Sequence, residues 1–333
     1  MKNYYSLFIA FVVAFAGLIG CSDSNEPKSY PDWVTYVSPI RSAGAMAIDN
    51  NNNLWLGSQV DGGGLAKFDG SNWTTYTTSN SELLRNWINS IATDSNNNVW
   101  VGTQEGLSRF NGSSWTTYTT SNSGLVANTV RSVAVASNNN VWVGTWGGLS
   151  RFNGSAWTSY TTANSGLVAN SISSIAIDNS NNVWVGTDRG LSRFNGSTWT
   201  TYTTSNSGSV SNDIDCIAID NNNNVWIISG FVTSSGLSKF DGSSWTNYTT
   251  SNSGLPANRI TCIAIDNNNN VWVGTDGKGL SKFDGSKWTN YTTSNSGLHS
   301  NVVVCLTVSN DNDVWIAYGG AMPDISIYKQ GAK

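Results

Sequence analysis

Three observations predict an all-β fold, a seven-bladed β-propeller with four antiparallel strands per blade. Tryptophan recurs at positions 55, 100, 142, 184, 226, 272 and 315, spaced 42 to 46 residues apart. A second series, Trp33, Trp73, Trp115, Trp157, Trp199, Trp245 and Trp288, keeps nearly the same period. A period in the low forties, rich in β-formers and turn residues, marks a propeller array. The third observation concerns the ends. After Trp315 one more strand-like segment follows, residues 325–328, with no Trp-Thr-Tyr segment behind it. Trp33-Val34-Thr35-Tyr36 carries that missing signature with no partner ahead of it. The N-terminal strand is therefore expected to complete the last blade, which removes the edges an open array would expose.

Residues 1–20 read as a signal segment. Lys2 supplies the positive start, and residues 7–18 form an apolar run too short to span a bilayer comfortably. The run ends in Leu18-Ile19-Gly20-Cys21, which resembles a bacterial lipoprotein signal, where the cysteine is lipidated and becomes the new N-terminus. An ordinary secretory signal is the alternative; a cysteine directly after a small residue favours lipidation at Cys21. Residues 21–31 are polar and proline-bearing and read as a tether. The propeller is assigned to residues 32–329 and a tail to 330–333. The expected location is extracytoplasmic, in the periplasm or on the cell surface of a bacterium, with membrane contact through the lipid alone. A monomer is expected.

The chain carries 17 basic and 21 acidic residues, a net charge of −4 that becomes −5 once Lys2 is removed with the signal. Charged residues make up only 11%, so the surface is polar through Asn, Ser and Thr. That composition lacks the basic footprint of a nucleic-acid binder.

One unit shows the strand plan. Residues 174–178 (Ser-Ile-Ala-Ile-Asp) read as strand a, 183–187 (Val-Trp-Val-Gly-Thr) as b, 190–194 (Gly-Leu-Ser-Arg-Phe) as c and 199–203 (Trp-Thr-Thr-Tyr-Thr) as d. Asn195-Gly196 between c and d favours a tight hairpin. This order puts the a–b and c–d turns on one face and the b–c and d–a loops on the other. The turn face is monotonous, repeating runs such as Asp220-Asn221-Asn222-Asn223-Asn224. The loop face varies from blade to blade and holds the only two tryptophans outside both series, Trp87 and Trp146. Function is expected there, because loops on a rigid scaffold can diversify.

The units resemble two-component regulator propeller repeats, in Ile177-Asp178, Trp184-Val185-Gly186-Thr187, Gly190-Leu191 and Phe194-Asn195 and their equivalents in most blades. Blades 5 and 7 lose the Gly-Thr, reading Ile228-Ser229 and Ala317-Tyr318. A WD40 assignment fits worse, since the Gly-His and Trp-Asp pairs are missing. The resemblance implies an extracytoplasmic sensing module, often of carbohydrates; this sequence offers no kinase part from which signalling could be carried over.

The periodic tryptophans are expected in the packing between blades, because alternation in Val-Trp-Val sets each ring on one sheet face. The Asp-Asn runs superficially look like calcium loops but lack the glycine and glutamate of the EF-hand pattern, and they are read as hairpins. No cofactor or metal is expected. Cys216, Cys262 and Cys305 share one register with Ser90, Ser132 and Ser174 and are read as buried thiols. His299 is the only histidine, which excludes a multi-histidine zinc or catalytic centre and weakens the analogy with streptogramin lyases, also seven-bladed.

A non-enzymatic recognition module for a glycan, peptide or partner protein is therefore expected, with no catalytic residues. Its site is expected at the loop-face mouth, drawing on Trp87, Trp146, Asp188, Arg189, Asp213, Arg259, Phe231 and Tyr318. Two alternatives remain open on the sequence: a lyase or hydrolase with an axial active site, and a multivalent lectin with pockets between blades.

Overall fold

The computed structural model describes residues 30–208, 211–230, 236–320 and 324–331. Cys21 and the rest of the expected signal lie outside the described residues, as does Phe231. Strand β1 (Trp33–Val37) is followed by six consecutive four-stranded blades. Blades 1 and 2 are β2–β5 (Ala43–Ile48, Leu54–Ser58, Leu65–Phe68, Trp73–Tyr76) and β6–β9 (Ile88–Thr93, Val99–Thr103, Leu107–Phe110, Trp115–Tyr118). Blades 3 and 4 are β10–β13 (Val130–Val135, Val141–Thr145, Leu149–Phe152, Trp157–Tyr160) and β14–β17 (Ile172–Ile177, Val183–Thr187, Gly190–Phe194, Trp199–Tyr202). Blades 5 and 6 are β18–β21 (Ile214–Ile219, Val225–Ser229, Leu237–Phe240, Trp245–Tyr248) and β22–β25 (Ile260–Ile265, Val271–Thr275, Leu280–Phe283, Trp288–Tyr291).

Blade 7 is composite. Strands β26 (Val303–Val308), β27 (Val314–Tyr318) and β28 (Asp324–Tyr328) are completed by β1, which pairs antiparallel with β28 from Trp33↔Tyr328 to Val37↔Asp324. The expected closure is thus the observed one. Its aromatic rings explain the choice of residues. Trp33 packs on Tyr291 of blade 6 and Tyr328 of blade 7, while Tyr36 stacks on Trp315 and meets Phe68 of blade 1. One strand thereby completes the packing at two junctions.

The core consists of seven wedges, one at each junction between blades. In each, the second-strand tryptophan points at the next blade; Trp55, for example, stacks on Tyr76 of its own blade and meets Phe110 of blade 2 edge-on. These seven indoles are 0 to 7% exposed. The fourth-strand tryptophans are half-buried and cover the outside of the same wedges.

The glycine of Trp-x-Gly-Thr is a packing requirement. A Cβ at Gly144 would come within 2.5 Å of Ile172 in the next blade. Where Ile228 and Ala317 replace it, in blades 5 and 7, the following blade stands less close than elsewhere in the ring. Near the axis, the Ser90, Ser132 and Ser174 hydroxyls accept the N–H groups of Val133, Ile175 and Ile217 one blade on, at 3.0–3.1 Å. Cys216, Cys262 and Cys305 hold the same position as free thiols, and burial pushes Cys216 up to about 11 and Cys305 to about 12.

One detail of the strand plan differs from the sequence reading. Strand a of blade 4 begins two residues early, at Ile172, which pairs with Thr187; Ser174 then pairs with Gly186, leaving Ser173 as an extra residue. This is a β-bulge. It recurs in every blade, at Gly44, Asn89, Arg131, Asp215, Thr261 and Val304. Polar residues at the bulge read as loop in the sequence because they interrupt the apolar alternation.

Candidate functional site

On the turn face the repeated polar side chains satisfy the backbone. Asp94 Oδ1 accepts the N–H groups of Asn96 and Asn98 at 3.0 and 2.9 Å. Its Oδ2 accepts Asn98 Nδ2 at 2.7 Å and the buried Trp100 Nε1 at 3.0 Å. The same lock recurs at Asp178, Asp220 and Asp266. The Asn before the last position of each run takes positive φ, 60° to 69°, the left-handed turn that Asn tolerates. These carboxylates face N–H donors, which supports the hairpin reading over the calcium one.

The loop face is framed just as firmly but leaves side chains over. Thr145 Oγ1 donates to Gly148 O at 2.8 Å and accepts Gly147 N–H at 3.1 Å, fixing the b–c loop that carries Trp146. In the following d–a loop, Asn164 and Asn170 accept the N–H groups of Thr161 and Thr162 at 2.7 and 2.8 Å. The bulge side chains are turned toward the axis. Asn89 Nδ2 donates to Val130 O at 2.8 Å, and Ser173 and Thr261 reach the Ile214 and Val303 carbonyls of their next blades. Gln59 lies over Gly44, where a Cβ would come within 2.1 Å of its side chain.

Together these residues line a mouth cavity of about 360 Å³, walled by Gln59, Asn89, Gln104, Thr129, Arg131, Trp146 and Ser173. Trp146 is 62% exposed, and the Arg131 guanidinium lies over its ring, 5.9 Å from the centroid. Beyond the indole a second cavity of about 330 Å³ is bounded by Trp146, Thr162, Asn170, Ser171, Asp188 and Arg189. The indole is therefore a ridge between an axial and an outer compartment.

Of the residues expected in the site, Trp146, Asp188 and Arg189 come together here. Trp87 stands at the mouth just before β6, half-buried, and lines neither cavity. Asp213 is exposed at the mouth and its carbonyl accepts Gly230 N–H at 3.0 Å. Arg259 is ion-paired with Asp276 at 2.7 Å. Tyr318 is corrected: it ends β27, is 1% exposed and accepts His299 N–H at 3.1 Å on its hydroxyl. It occupies the register of the buried threonine in Gly-Thr, a core position, and burial pushes its pKa up to about 12. His299 Nε2 is 2.9 Å from Asp324 Oδ2.

Sequence reasoning left out of the site Gln59, Asn89, Gln104, Thr129, Arg131 and Ser173. A signal for three of them was present, since the bulge register reads Gly, Asn, Arg, Ser, Asp, Thr, Val around the ring, too mixed for packing alone.

Residues 82–105, 124–147, 166–189 and 254–277 match the family described as two component regulator propeller. Each segment runs from a d–a loop through strands a and b to the b–c loop, so the matches cover the mouth of blades 2, 3, 4 and 6. No curated protein matches the chain in sequence. Among solved structures, the extracellular domain of a hybrid two-component system from B. thetaiotaomicron is similar, at 23% identity and a TM-score of 0.73, over 89% of this chain and 41% of that one. Virginiamycin B lyase from Staphylococcus aureus is similar at 12% identity and a TM-score of 0.69, over 90% of this chain and 99% of that one. PorZ, a surface component of the type-IX secretion system of Porphyromonas gingivalis, is similar at 19% identity and a TM-score of 0.69, over 88% and 47%. This chain thus spans about two-fifths of the sensor-domain chain it matches, and at these identities the likeness is one of fold. Four segments that match two component regulator propeller repeats are thus set in a ring of seven equivalent blades, in blades 2, 3, 4 and 6.

Proposed function

We propose that this protein is a non-enzymatic recognition module that holds a glycan against Trp146 at the loop-face mouth. The observation that carries the reading is the indole itself. A large apolar ring left 62% exposed between two polar cavities, on a loop fixed by Thr145, is a preformed stacking platform. Amides and hydroxyls around it supply the paired donors and acceptors that sugar hydroxyls need. Trp146→Ala is expected to weaken binding of glycans captured from an array by about 2 kcal/mol, roughly thirtyfold, with the melting temperature nearly unchanged. Unchanged affinity in that variant would remove the mouth from consideration.

The proposal includes an extracytoplasmic location with a lipid anchor at Cys21, supported by the Leu-Ile-Gly-Cys sequence and by the extracellular setting of the similar sensor domain. Cys21→Ser should move the protein from the membrane to the soluble fraction. A variant that still pellets with membranes would refute the anchor.

A further inference from the structure

We infer that the axial compartment selects an acidic sugar, binding its carboxylate through Arg131 while the sugar ring lies against Trp146. This rests on the reading of the mouth as a glycan site. Arg131 is exposed, and its guanidinium makes no hydrogen bond or ion pair with any described residue. That sets it apart from Arg85, which bridges Asp61 and Glu105 at 3.1 and 2.8 Å, and from Arg259, paired with Asp276. Its Cζ lies over the indole, 5.9 Å from the ring centroid, a cation–π contact that holds the charge beside the platform. Its N–H groups have no partner among the described residues, and a guanidinium can bind a carboxylate through two of them at once.

Among the described residues the cavity around this cation carries no acidic lining: Gln59, Asn89, Gln104, Thr129 and Ser173 are neutral. A cation in a neutral concave site on a chain of net charge −4 is a local exception to the surface, and it favours an anionic group there over elsewhere. The neutral amides and hydroxyls suit the remaining hydroxyls of a pyranose, and the indole suits its C–H face. A peptide would need apolar side-chain pockets, and among the described residues the lining offers one aromatic ring and no other large apolar side chain. The outer compartment holds Arg189 beside Asp188, so a second sugar unit could cross the ridge without meeting a purely anionic wall.

The test is a glycan array containing hexuronate oligosaccharides, their methyl esters and neutral counterparts, with a glutamate-rich peptide titrated alongside. Hits are followed by calorimetry on wild type, Arg131→Gln, Arg131→Lys and Trp146→Ala, each checked by thermal melting. The expected result is binding of free-acid hexuronates that falls about tenfold or more on esterification and by a similar factor in Arg131→Gln. Arg131→Lys should recover part of the loss, and raising salt should weaken only the variants that keep a cation. Neutral glycans binding as well as acidic ones, with loss in Trp146→Ala alone, would overturn the acidic preference and leave the mouth site standing. Binding insensitive to both substitutions would overturn both readings. No acidic hit, or binding of the peptide instead, would also overturn this inference.

Discussion

The two ends of each blade use the same kinds of polar residue to opposite effect. On the turn face, Asp178 gathers two backbone N–H groups, the Asn182 amide and the Trp184 indole N–H, so a strongly polar sequence presents little that is unsatisfied. At the mouth, Thr187 closes its loop onto Gly190 in the same self-contained way, yet the residues beyond it, Asp188 and Arg189, are left exposed. Abundant polarity is thus no guide to a binding face. The informative feature is a side chain whose groups the fold does not use, such as Trp146 and Arg131. Repetition explains the difference: what every blade needs is repeated, and what only one position needs is free to vary.

The largest expected effect tests the structural end. Trp184 is 4% exposed, packs at the junction of blades 4 and 5 against Phe240, and donates to Asp178 at 3.1 Å. Trp184→Ala should lower stability by about 3–5 kcal/mol, through the cavity it leaves and the buried carboxylate that loses a donor. Chemical denaturation would measure this, and glycan affinity of the folded fraction should stay unchanged. Lost affinity at full stability would mean that the two ends are not independent. By contrast Trp146→Ala, at the other end, should show the reverse pattern, which makes the pair a direct test of the division.

Much of this division was legible in the sequence. Two tryptophan series and the unmatched Trp33 segment are consequences of junction packing, which acts on every blade alike and so leaves a periodic record. Trp146 was legible for the opposite reason, as an aromatic residue in a loop whose equivalents include Gln104 and Asp188. Arg131, Asn89 and Ser173 were harder to place. A one-residue bulge swings them to the axis, and a bulge has no fixed residue type, so the strand register past it cannot be counted from the pattern. Tyr318 misled for a related reason: with Gly-Thr replaced by Ala-Tyr, a strand end looked like the start of a loop, although its register is a core one.

The smallest expected effect concerns Trp87, which shares with Trp146 its exclusion from the periodic series but not its setting. It precedes β6 directly, at the register of Thr129 and Ser171, and is half-buried where Trp146 is 62% exposed. Lining neither cavity, it stands where the rim of an interface would be, and rim residues contribute little to affinity because water still reaches them. Trp87→Ala is therefore expected to weaken glycan binding by no more than about threefold, near 0.6 kcal/mol, and to lower stability by about 1 kcal/mol through its partly buried ring. Calorimetry beside Trp146→Ala measures the first and thermal melting the second. A loss equal to that of Trp146→Ala would show that the ligand extends across the start of blade 2 and that both aperiodic tryptophans act as anchors. A stability loss equal to that of Trp184→Ala would instead place Trp87 with the junction residues, and the mouth would then have a single aromatic anchor.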